Sequence, residues 1–290
     1  MKSSPQLPPG TCDCHTHVFL DEAKFPLWAA RRYTPPPASI EALTALHDRL
    51  GVERVVIVQP SVYGSDNAAT LHALRTLGQG RARGVAVIDD HTSDAELAAM
   101  ADAGIRGVRV NLEVDGERDA QKATQWLRRT VERVAPLGWH VQLYASLSLL
   151  GACADMLGSL PVPLVFDHYA GAQAQLGLQQ EGLAEVLKLV ESGCAYVKLS
   201  APYRCASPDA LQSQEPLTRL LIDRNPDRML WGSDWPHPQP GARPNASDVC
   251  PPFEVDLGKT LNALASWAPD AATLRKILVD NPRRLYGFDA

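Results

Sequence analysis

A cluster of potential metal-binding or acid–base residues lies near the start of the chain. The segment TCDCHTHVFL, residues 11–20, holds Cys12, Cys14, His15 and His17. In a β-strand, side chains two residues apart share a face, so we expect both histidines to project together and both cysteines to project oppositely, toward surrounding helices. Paired imidazoles can bind a metal ion or act on a proton. The cysteines are predicted to be small buried apolar groups, because a Cys-x-Cys zinc site would need a second cysteine pair, which the sequence lacks.

Further polar and ionisable side chains follow short apolar, β-branched runs along the rest of the chain. A carboxylate among imidazole, phenol and guanidinium groups is suited to activating a water molecule and holding an anion. The residues at the ends of these runs are Gln59, Ser61, Arg109, Asn111, Gln142, Tyr144, Asp167, His168, Lys198, Ser200, Arg204, Asp234 and His237.

The segments that must position these groups alternate between strand-like and helix-like patterns. Strands are predicted over residues 11–19, 54–60, 82–89, 105–112, 139–145, 163–171, 195–204 and 228–237. Helices are predicted near 38–50, 67–77, 93–103, 119–137, 147–158, 182–192, 208–224, 255–267 and 270–280. This order predicts an α/β fold, a single-domain (β/α)8 TIM barrel over 1–290, with 1–10 as a flexible tail. An open doubly wound sheet is less favoured, because no glycine-rich phosphate turn follows the first strand. In a barrel, the predicted polar groups would meet at the C-terminal ends of the strands.

Composition restricts the classes of partner. The chain has 290 residues, 45% hydrophobic and 21% charged, with a net charge of −5. This balance is typical of a soluble globular protein and argues against nucleic acid or an anionic membrane as a partner. The sequence shows neither a signal peptide pattern nor a run of eighteen apolar residues, so a cytoplasmic location is predicted. The 6 cysteines are too sparse for a disulfide scaffold and are expected to be reduced.

Some remaining polar residues are expected to have structural or peripheral roles. The Pro-rich loops 20–37 and 238–254 are predicted to form lids. His47, His72 and His91 are predicted to be surface groups, because they lie on helices or loops away from the strand ends. His140 begins the fifth strand and should lie at the opposite end of the barrel. Lys198 is expected either to face the barrel interior or to form a core salt bridge.

Four motifs resemble the amidohydrolase superfamily. They are DCHTHVF in strand 1, FDHYAG in strand 6, WGSDWPH in strand 8 and NPRRLYGF near the C-terminus. Together they are most similar to its branch of metal-independent lactonases of the 2-pyrone-4,6-dicarboxylate hydrolase type, and the resemblance covers almost the whole chain. It implies that Asp234 is the general base and that His15, His17 and His168 surround the scissile carbonyl. The substrate-binding positions it implies are Tyr33, Ser61, Arg109, Tyr144 and Arg204.

The residue types are consistent with that chemistry. Lactone hydrolysis requires a water molecule to be deprotonated and an oxyanion to be stabilised. A carboxylate such as Asp234 can take the proton, a contribution of about 10²–10⁴-fold. Imidazole N–H groups can stabilise the oxyanion, and one such donor is worth about 3–4 kcal/mol. Lactones are activated acyl compounds, so no cofactor is predicted to be required.

A metal ion is the main alternative. Relative to binuclear members of the superfamily, Arg109 and Tyr144 stand where ligands would be expected, and a guanidinium cannot ligate a cation. A single zinc ion held by His15, His17, His168 and Asp234 remains the alternative, as in a mononuclear zinc hydrolase or a decarboxylase. A remoter alternative is a non-catalytic barrel that binds a small acid.

The predicted partner is a small anionic lactone or carboxylate. Arg109 and Arg204 offer planar forks that match a carboxylate. The alternative for Arg109 is a local ion pair with Glu113 or Asp115. The resemblance also implies a second basic residue shortly after Arg109, but the chain reads NLEVDGER there, and its nearest base is Arg118. The sequence therefore does not specify which lactone is bound.

Overall fold

A parallel eight-stranded barrel forms the centre of the computed structural model, which describes residues 7–204, 210–239, 245 and 247–289. The strands pair in chain order from β1 to β8, and the predicted (β/α)8 barrel is confirmed. The barrel is completed where the chain beyond β8 meets β1, since the Asp234 N–H donates to the His15 carbonyl at 2.8 Å. The strands are β1 Cys12–Thr16, β2 Arg54–Val58, β3 Ala82–Ala86, β4 Ile105–Val110, β5 His140–Leu143, β6 Leu164–Phe166, β7 Ala195–Ser200 and β8 Met229–Gly232.

The main helices follow the strands and pack around the barrel. Their starts are fixed by side-chain caps: the Ser39 hydroxyl accepts from the Ala42 N–H, and Ser93 and Glu96 form a reciprocal capping box. The helices are α1 Ile40–Leu50, α2 Ala68–Leu77, α3 Asp94–Asp102, α4 Ala120–Val134, α5 Leu147–Ala152, α6 Leu183–Glu191, α7 Glu215–Arg224 and α8 Leu257–Trp267. Shorter helices are Leu112–Asp115, Ala154–Gly158, Ala210–Ser213, Ala271–Arg275 and Asn281–Tyr286. None of the described helices is long and apolar enough to cross a membrane.

All eight strands end earlier than predicted, and the difference is largest for β6, β7 and β8. The predicted runs 163–171, 195–204 and 228–237 stop at Phe166, Ser200 and Gly232. Just beyond these ends the backbone turns into the left-handed region at His168 (φ 47°), Ala201 (φ 49°) and Asp234 (φ 59°). Non-glycine residues adopt this region infrequently, and it cannot continue a strand. His168 and Asp234, both predicted to be catalytic, therefore sit on turns that follow the strands.

The two cysteines of β1 face the barrel interior, so the prediction that they point toward the helices is wrong. Both are fully buried and free of disulfides, as expected for small apolar groups. They pack with inward-facing side chains from five other strands and with two aromatic residues from the C-terminal segment. The rest of this cluster is Val56, Val58, Val85, Val165, Tyr196, Leu230, Tyr286 and Phe288.

A β-bulge in β1 explains that error. Pairing with β2 advances by two residues while β1 advances by three, from Asp13 to Thr16. The extra residue breaks the simple alternation, because two residues of the bulged strand oppose one residue of its partner. Cys14 and His15 consequently both face inward, and His15 approaches the buried Lys198 of β7 at 3.2 Å.

Segments outside the barrel close its two ends. Leu7 packs on the core and the Gly10 N–H donates to the Glu53 carboxylate at 3.0 Å, so residues 7–10 of the predicted tail contact the barrel, whereas residues 1–6 lie outside the described residues. At the other end, the loop after β1 meets the segment after β8, where the Cys250 N–H donates to the Thr34 carbonyl at 2.8 Å. Residues 240–244 and 246 of the predicted second lid lie outside the described residues.

Candidate active site

A buried carboxylate faces three imidazole rings at the C-terminal end of the barrel. Oδ1 of Asp234 lies 3.5 Å from Nε2 of His15, 3.5 Å from Nε2 of His17 and 4.0 Å from Nε2 of His168. The Asp234 side chain is fully buried, and Oδ1 has no hydrogen-bond donor among the described residues. The structure therefore brings together all four residues predicted to be catalytic.

The backbone fixes this arrangement from β1 and β8. In addition to the bond from Asp234 to the His15 carbonyl, the His17 N–H donates to the Trp235 carbonyl at 2.8 Å. Gly232 allows the two strands to approach, because a Cβ at that position would lie 2.6 Å from Cβ of His15. Such a contact is too short, so glycine is required for this spacing.

The second oxygen of Asp234 is held by two residues that follow β7. Oδ2 accepts hydrogen bonds from the Tyr203 hydroxyl at 2.5 Å and from Nε of Arg204 at 2.9 Å, and Nη2 of Arg204 lies 2.9 Å from the same oxygen as an ion-pair partner. Burial alone would raise the pKa of Asp234, but the Arg204 charge and the neighbouring histidines hold that pKa well below its usual range. Asp234 is therefore ionised at neutral pH. Arg204, predicted to bind the substrate, uses these nitrogens to hold the carboxylate.

The three histidines have different hydrogen-bond partners on Nδ1. His17 donates from Nδ1 to the Val58 carbonyl at 2.8 Å, because a carbonyl can only accept. His168 pairs through Nδ1 with the Ser200 hydroxyl at 2.9 Å. Burial, reinforced by the charge of Lys198, lowers the pKa of His15 to about 3, and burial lowers the pKa of His168 well below 6.5. His15 and His168 are therefore neutral imidazoles.

A charged network lies beneath these groups. Asp167 Oδ2 accepts from Arg109 Nε and from Gln142 Nε2, both at 3.0 Å, and the fully buried Lys198 donates to Gln142 Oε1 at 2.6 Å. Burial would raise the pKa of Asp167, but His15, Arg109 and Lys198 lower it well below 3.8. Lys198 thus meets both expectations, since it faces inward and forms a core ion pair with Asp167 at 3.5 Å.

The alternative prediction for Arg109, a local ion pair with Glu113 or Asp115, is wrong. Arg109 pairs with Asp167, whereas Glu113 pairs with Arg118 at 2.9 Å. Arg118 is half-exposed and is absent from the cavity lining. Arg109 also lines the cavity above Asp234, and its Cζ lies 5.2 Å from the Tyr144 ring centroid.

A cavity of about 240 Å³ opens above Asp234. The five residues predicted to bind substrate all line it: Tyr33, Ser61, Arg109, Tyr144 and Arg204. His17, His168 and Asp234 form its floor, and His15 lies below them. Burial raises the pKa of Tyr33 to about 12, so its hydroxyl stays protonated near Ser61. A neighbouring chamber of about 600 Å³ shares Ser61 and Arg109 with this cavity.

The donor atoms at and beneath the cavity floor fit a cation by type. Ligand atoms of His15, His17 and Asp234 lie within 4.8 Å of one another. Imidazole and carboxylate are suitable zinc ligands, and such an ion would lower the pKa of a bound water molecule. Ligand atoms of His15, Asp167 and His168 form a second such group, which shares His15 with the first. At the same level β4 and β5 offer Arg109 and Gln142, and a guanidinium cannot ligate a cation.

Two residues near the site were not recognised from the sequence. Tyr203, in the turn after β7, carries the shortest hydrogen bond to Asp234, and only its position beside Arg204 could have indicated it. His47 was predicted to lie on the surface, which is wrong: it is 1% exposed, and its Nε2 lies 3.2 Å from Oδ2 of Asp13. Oδ1 of Asp13 accepts from the backbone of His15 and Ser233, so this pair supports the bulge and the end of β8.

Comparison with known proteins finds a matching family profile and relatives that are similar over almost the whole chain. The chain matches the amidohydrolase family profile over residues 12–288. It is 39% identical to 2-pyrone-4,6-dicarboxylate hydrolase of Comamonas testosteroni, over 98% of this chain and 93% of that protein. It is 33% identical to 4-sulfomuconolactone hydrolase of Hydrogenophaga intermedia, over 97% and 90% of the two chains. The crystal structure of a probable 2-pyrone-4,6-dicarboxylic acid hydrolase from Acinetobacter baumannii with citric acid bound has a TM-score of 0.80 and 26% identity, covering 96% of this chain and 100% of that chain.

Proposed function

Because this chain belongs to the amidohydrolase family, we propose that it hydrolyses a carboxylated lactone with Asp234 as the general base. The observation that carries the proposal is the Oδ1 atom of Asp234, which faces three imidazoles at the floor of a cavity and has no protein hydrogen-bond donor among the described residues. An ionised carboxylate oxygen in this position is suited to accept a proton from water. The names of the relatives, both lactone hydrolases, support a cyclic ester as the substrate class.

The reaction proceeds by addition of water and opening of the ring. Asp234 takes one proton from a water molecule while the water oxygen bonds to the lactone carbonyl carbon, and the carbonyl oxygen becomes an oxyanion. An imidazole N–H at the cavity floor stabilises this oxyanion. The bond between the carbonyl carbon and the ring oxygen then breaks, and the proton held by Asp234 passes to the leaving oxygen. The product is a hydroxy acid or its keto tautomer.

The charge of the site favours an anionic substrate. Three cationic side chains, Arg109, Lys198 and Arg204, face two carboxylates, Asp167 and Asp234, so this buried set carries one excess positive charge. A substrate carboxylate compensates this excess, and Arg109, which lines the cavity, provides a directed partner. The chain departs from the pattern of the resemblance after Arg109, so the proposal stops at the class of carboxylated lactones.

A mononuclear zinc hydrolase is the second candidate, and the cluster of His15, His17 and Asp234 favours it. Zinc held there would supply a bound hydroxide in place of water activated by Asp234. The two candidates differ in their response to chelation.

The test is a panel of carboxylated lactones, including 2-pyrone-4,6-dicarboxylate and 4-sulfomuconolactone, assayed before and after exhaustive chelation. We expect hydrolysis of at least one compound at an undiminished rate after chelation. If chelation abolishes activity and zinc restores it, the protein is the second candidate, a mononuclear zinc hydrolase. Absence of hydrolysis across the panel, with tight binding of the same acids, would favour the non-catalytic barrel.

A further inference from the structure

The buried amine of Lys198 lies against Nδ1 of His15, a nitrogen whose protonation is not fixed by a backbone carbonyl. The site contains three histidines, and the carbonyl of Val58 makes His17 carry its proton on Nδ1. Nδ1 of His15 instead lies between a cation and an anion: Lys198 Nζ is 3.2 Å away, and Asp167 Oδ1 is 3.1 Å away. The neutral ring has one proton for two nitrogens, so only one of these neighbours can determine its position.

The hydrogen-bond geometry favours Lys198. Its amine meets the His15 nitrogen in hydrogen-bond geometry, whereas Asp167 Oδ1, although close, meets no donor at an acceptable angle among the described residues. Oδ2 of Asp167 is already satisfied by Arg109 and Gln142. An N–H on Nδ1 of His15 would therefore point toward the Lys198 ammonium and away from the carboxylate.

A count of donors gives the same result. The Lys198 ammonium has three N–H groups and is fully buried, so each needs an acceptor. Two acceptors meet it in hydrogen-bond geometry, Gln142 Oε1 at 2.6 Å and His15 Nδ1 at 3.2 Å, and Asp167 Oδ1 lies 3.5 Å away as an ion-pair partner. The Gln142 amide cannot be reversed, because its nitrogen would then face the ammonium and its oxygen would face Asp167. If His15 were protonated on Nδ1, Lys198 would lose one acceptor.

We propose that Lys198 is a positioning residue that fixes His15 as the Nε2–H tautomer, so that His15 presents an N–H donor to Asp234 Oδ1 from beneath the cavity floor. Its Nε2 lies 3.5 Å from Asp234 Oδ1, within reach of a water molecule or carbonyl oxygen held between them. The low pKa of His15, to which Lys198 contributes, agrees with a neutral ring. His17, protonated on Nδ1, presents a lone pair at the same point, so the two histidines of the His-x-His motif have opposite hydrogen-bond polarity.

Two consequences follow for the chemistry of the site. As an N–H donor, His15 can stabilise the oxyanion, a use that rests on the proposed lactonase function. The same N–H occupies the nitrogen that would bind zinc, so Lys198 disfavours a metal ion that the donor types alone would accept. The buried amine of Lys198 therefore favours the metal-independent lactonase over the zinc hydrolase.

The test measures the tautomer directly and needs no turnover. In ¹⁵N-histidine spectra of the whole protein, a protonated and an unprotonated ring nitrogen give well-separated signals, and His15→Gln assigns those of His15. We expect His15 to be protonated on Nε2 in the native protein. Protonation on Nδ1 overturns the proposal, whatever the variants do. His17 serves as the internal control, because the Val58 carbonyl holds its proton on Nδ1 in every variant.

Two substitutions then separate the donor from the bulk of the side chain. Lys198→Met removes the donor and leaves the His15 ring free to turn toward Asp167, so His15 should shift its proton to Nδ1 and donate to that carboxylate. Zinc affinity should then rise by about 10–100-fold. Lys198→Gln keeps a donor and should retain the Nε2–H form. With an active lactone, Lys198→Met should lower kcat by about 10²–10³-fold with little change in KM, and Lys198→Gln should lower it less. If the Lys198→Met protein folds and its His15 tautomer and zinc affinity are unchanged, the role assigned to Lys198 is refuted. Failure of the lactone panel alone refutes the proposed function and does not affect the tautomer result.

Discussion

The hydrogen bond from Tyr203 to Asp234 predicts a specific change in the pH dependence of catalysis. Tyr203→Phe removes one of the donors to Oδ2 of Asp234 and leaves Arg204 in place. A hydrogen bond to a charged group is worth about 1.5–3 kcal/mol, and one pKa unit corresponds to about 1.4 kcal/mol. The substitution should therefore raise the pKa of Asp234, and with it the acid limb of kcat/KM, by about 1–2 pH units. The sign follows from the role of Asp234, since a general base is active when ionised and loses activity as the pH falls through its pKa.

The assay is kcat/KM for an active lactone between about pH 3 and 8, with circular dichroism to confirm that the fold persists. The native protein should keep its activity down to about pH 4, because the pKa of Asp234 lies below its usual range. Tyr196→Phe is the matched control: it removes a phenol hydroxyl from the barrel interior, where Tyr196 packs with the apolar cluster. If Tyr203→Phe and Tyr196→Phe give the same acid limb as the native protein, either Asp234 is not the titrating base or Tyr203 does not hold it.

Other predictions concern the base, the anion and the support beneath them. Asp234→Asn should lower kcat by about 10²–10⁴-fold with the fold retained, and more than about a tenth of native kcat would contradict the assignment. Arg109→Met should weaken kcat/KM for a carboxylated lactone by about 2–5 kcal/mol, with a smaller loss for a neutral analogue and partial rescue by Arg109→Lys; equal losses on both substrates would make Arg109 a purely structural partner of Asp167. His47→Leu should lower the free energy of unfolding in urea by about 3 kcal/mol, because it leaves the Asp13 carboxylate buried without its ring partner. The exposed His91 provides the control, since His91→Ala should change stability by less than about 0.5 kcal/mol.

The fold and the place of the proposed general base in it could be predicted from the sequence because both leave local patterns. Apolar runs that alternate with amphipathic segments define the eight strands, and the histidines and Asp234 stand at the ends of such runs. Parallel strands in a barrel bring their C-terminal ends together, so the residues could be grouped before their distances were known. The five positions implied to bind substrate line the cavity for the same reason.

The errors concern features that depend on register and on distant partners. Strict alternation gave the wrong face for Cys14, because the bulge that reverses its direction depends on pairing between β1 and β2. His47 looked like a surface residue because its buried partner, Asp13, lies 34 positions away in sequence. The partner of Arg109 was sought among nearby acids, yet it is Asp167, 58 positions along the chain. No local pattern encodes such pairs.

The bulge also sets a condition for transferring this site to another barrel. His-x-His grafted onto a regular strand would keep its two histidines on one face, but the backbone N–H of His15 would lose the Asp13 carboxylate that accepts from it here, and the neighbouring Ser233 N–H would lose the same oxygen. A working graft would therefore have to carry Asp13 two residues upstream, the extra residue in the strand, and a histidine on the first helix to cover the carboxylate. The transferable unit is thus a bulged strand together with the buried Asp13–His47 pair that supports it. A designer who copied only the two histidines would transfer the imidazoles without the backbone that orients them.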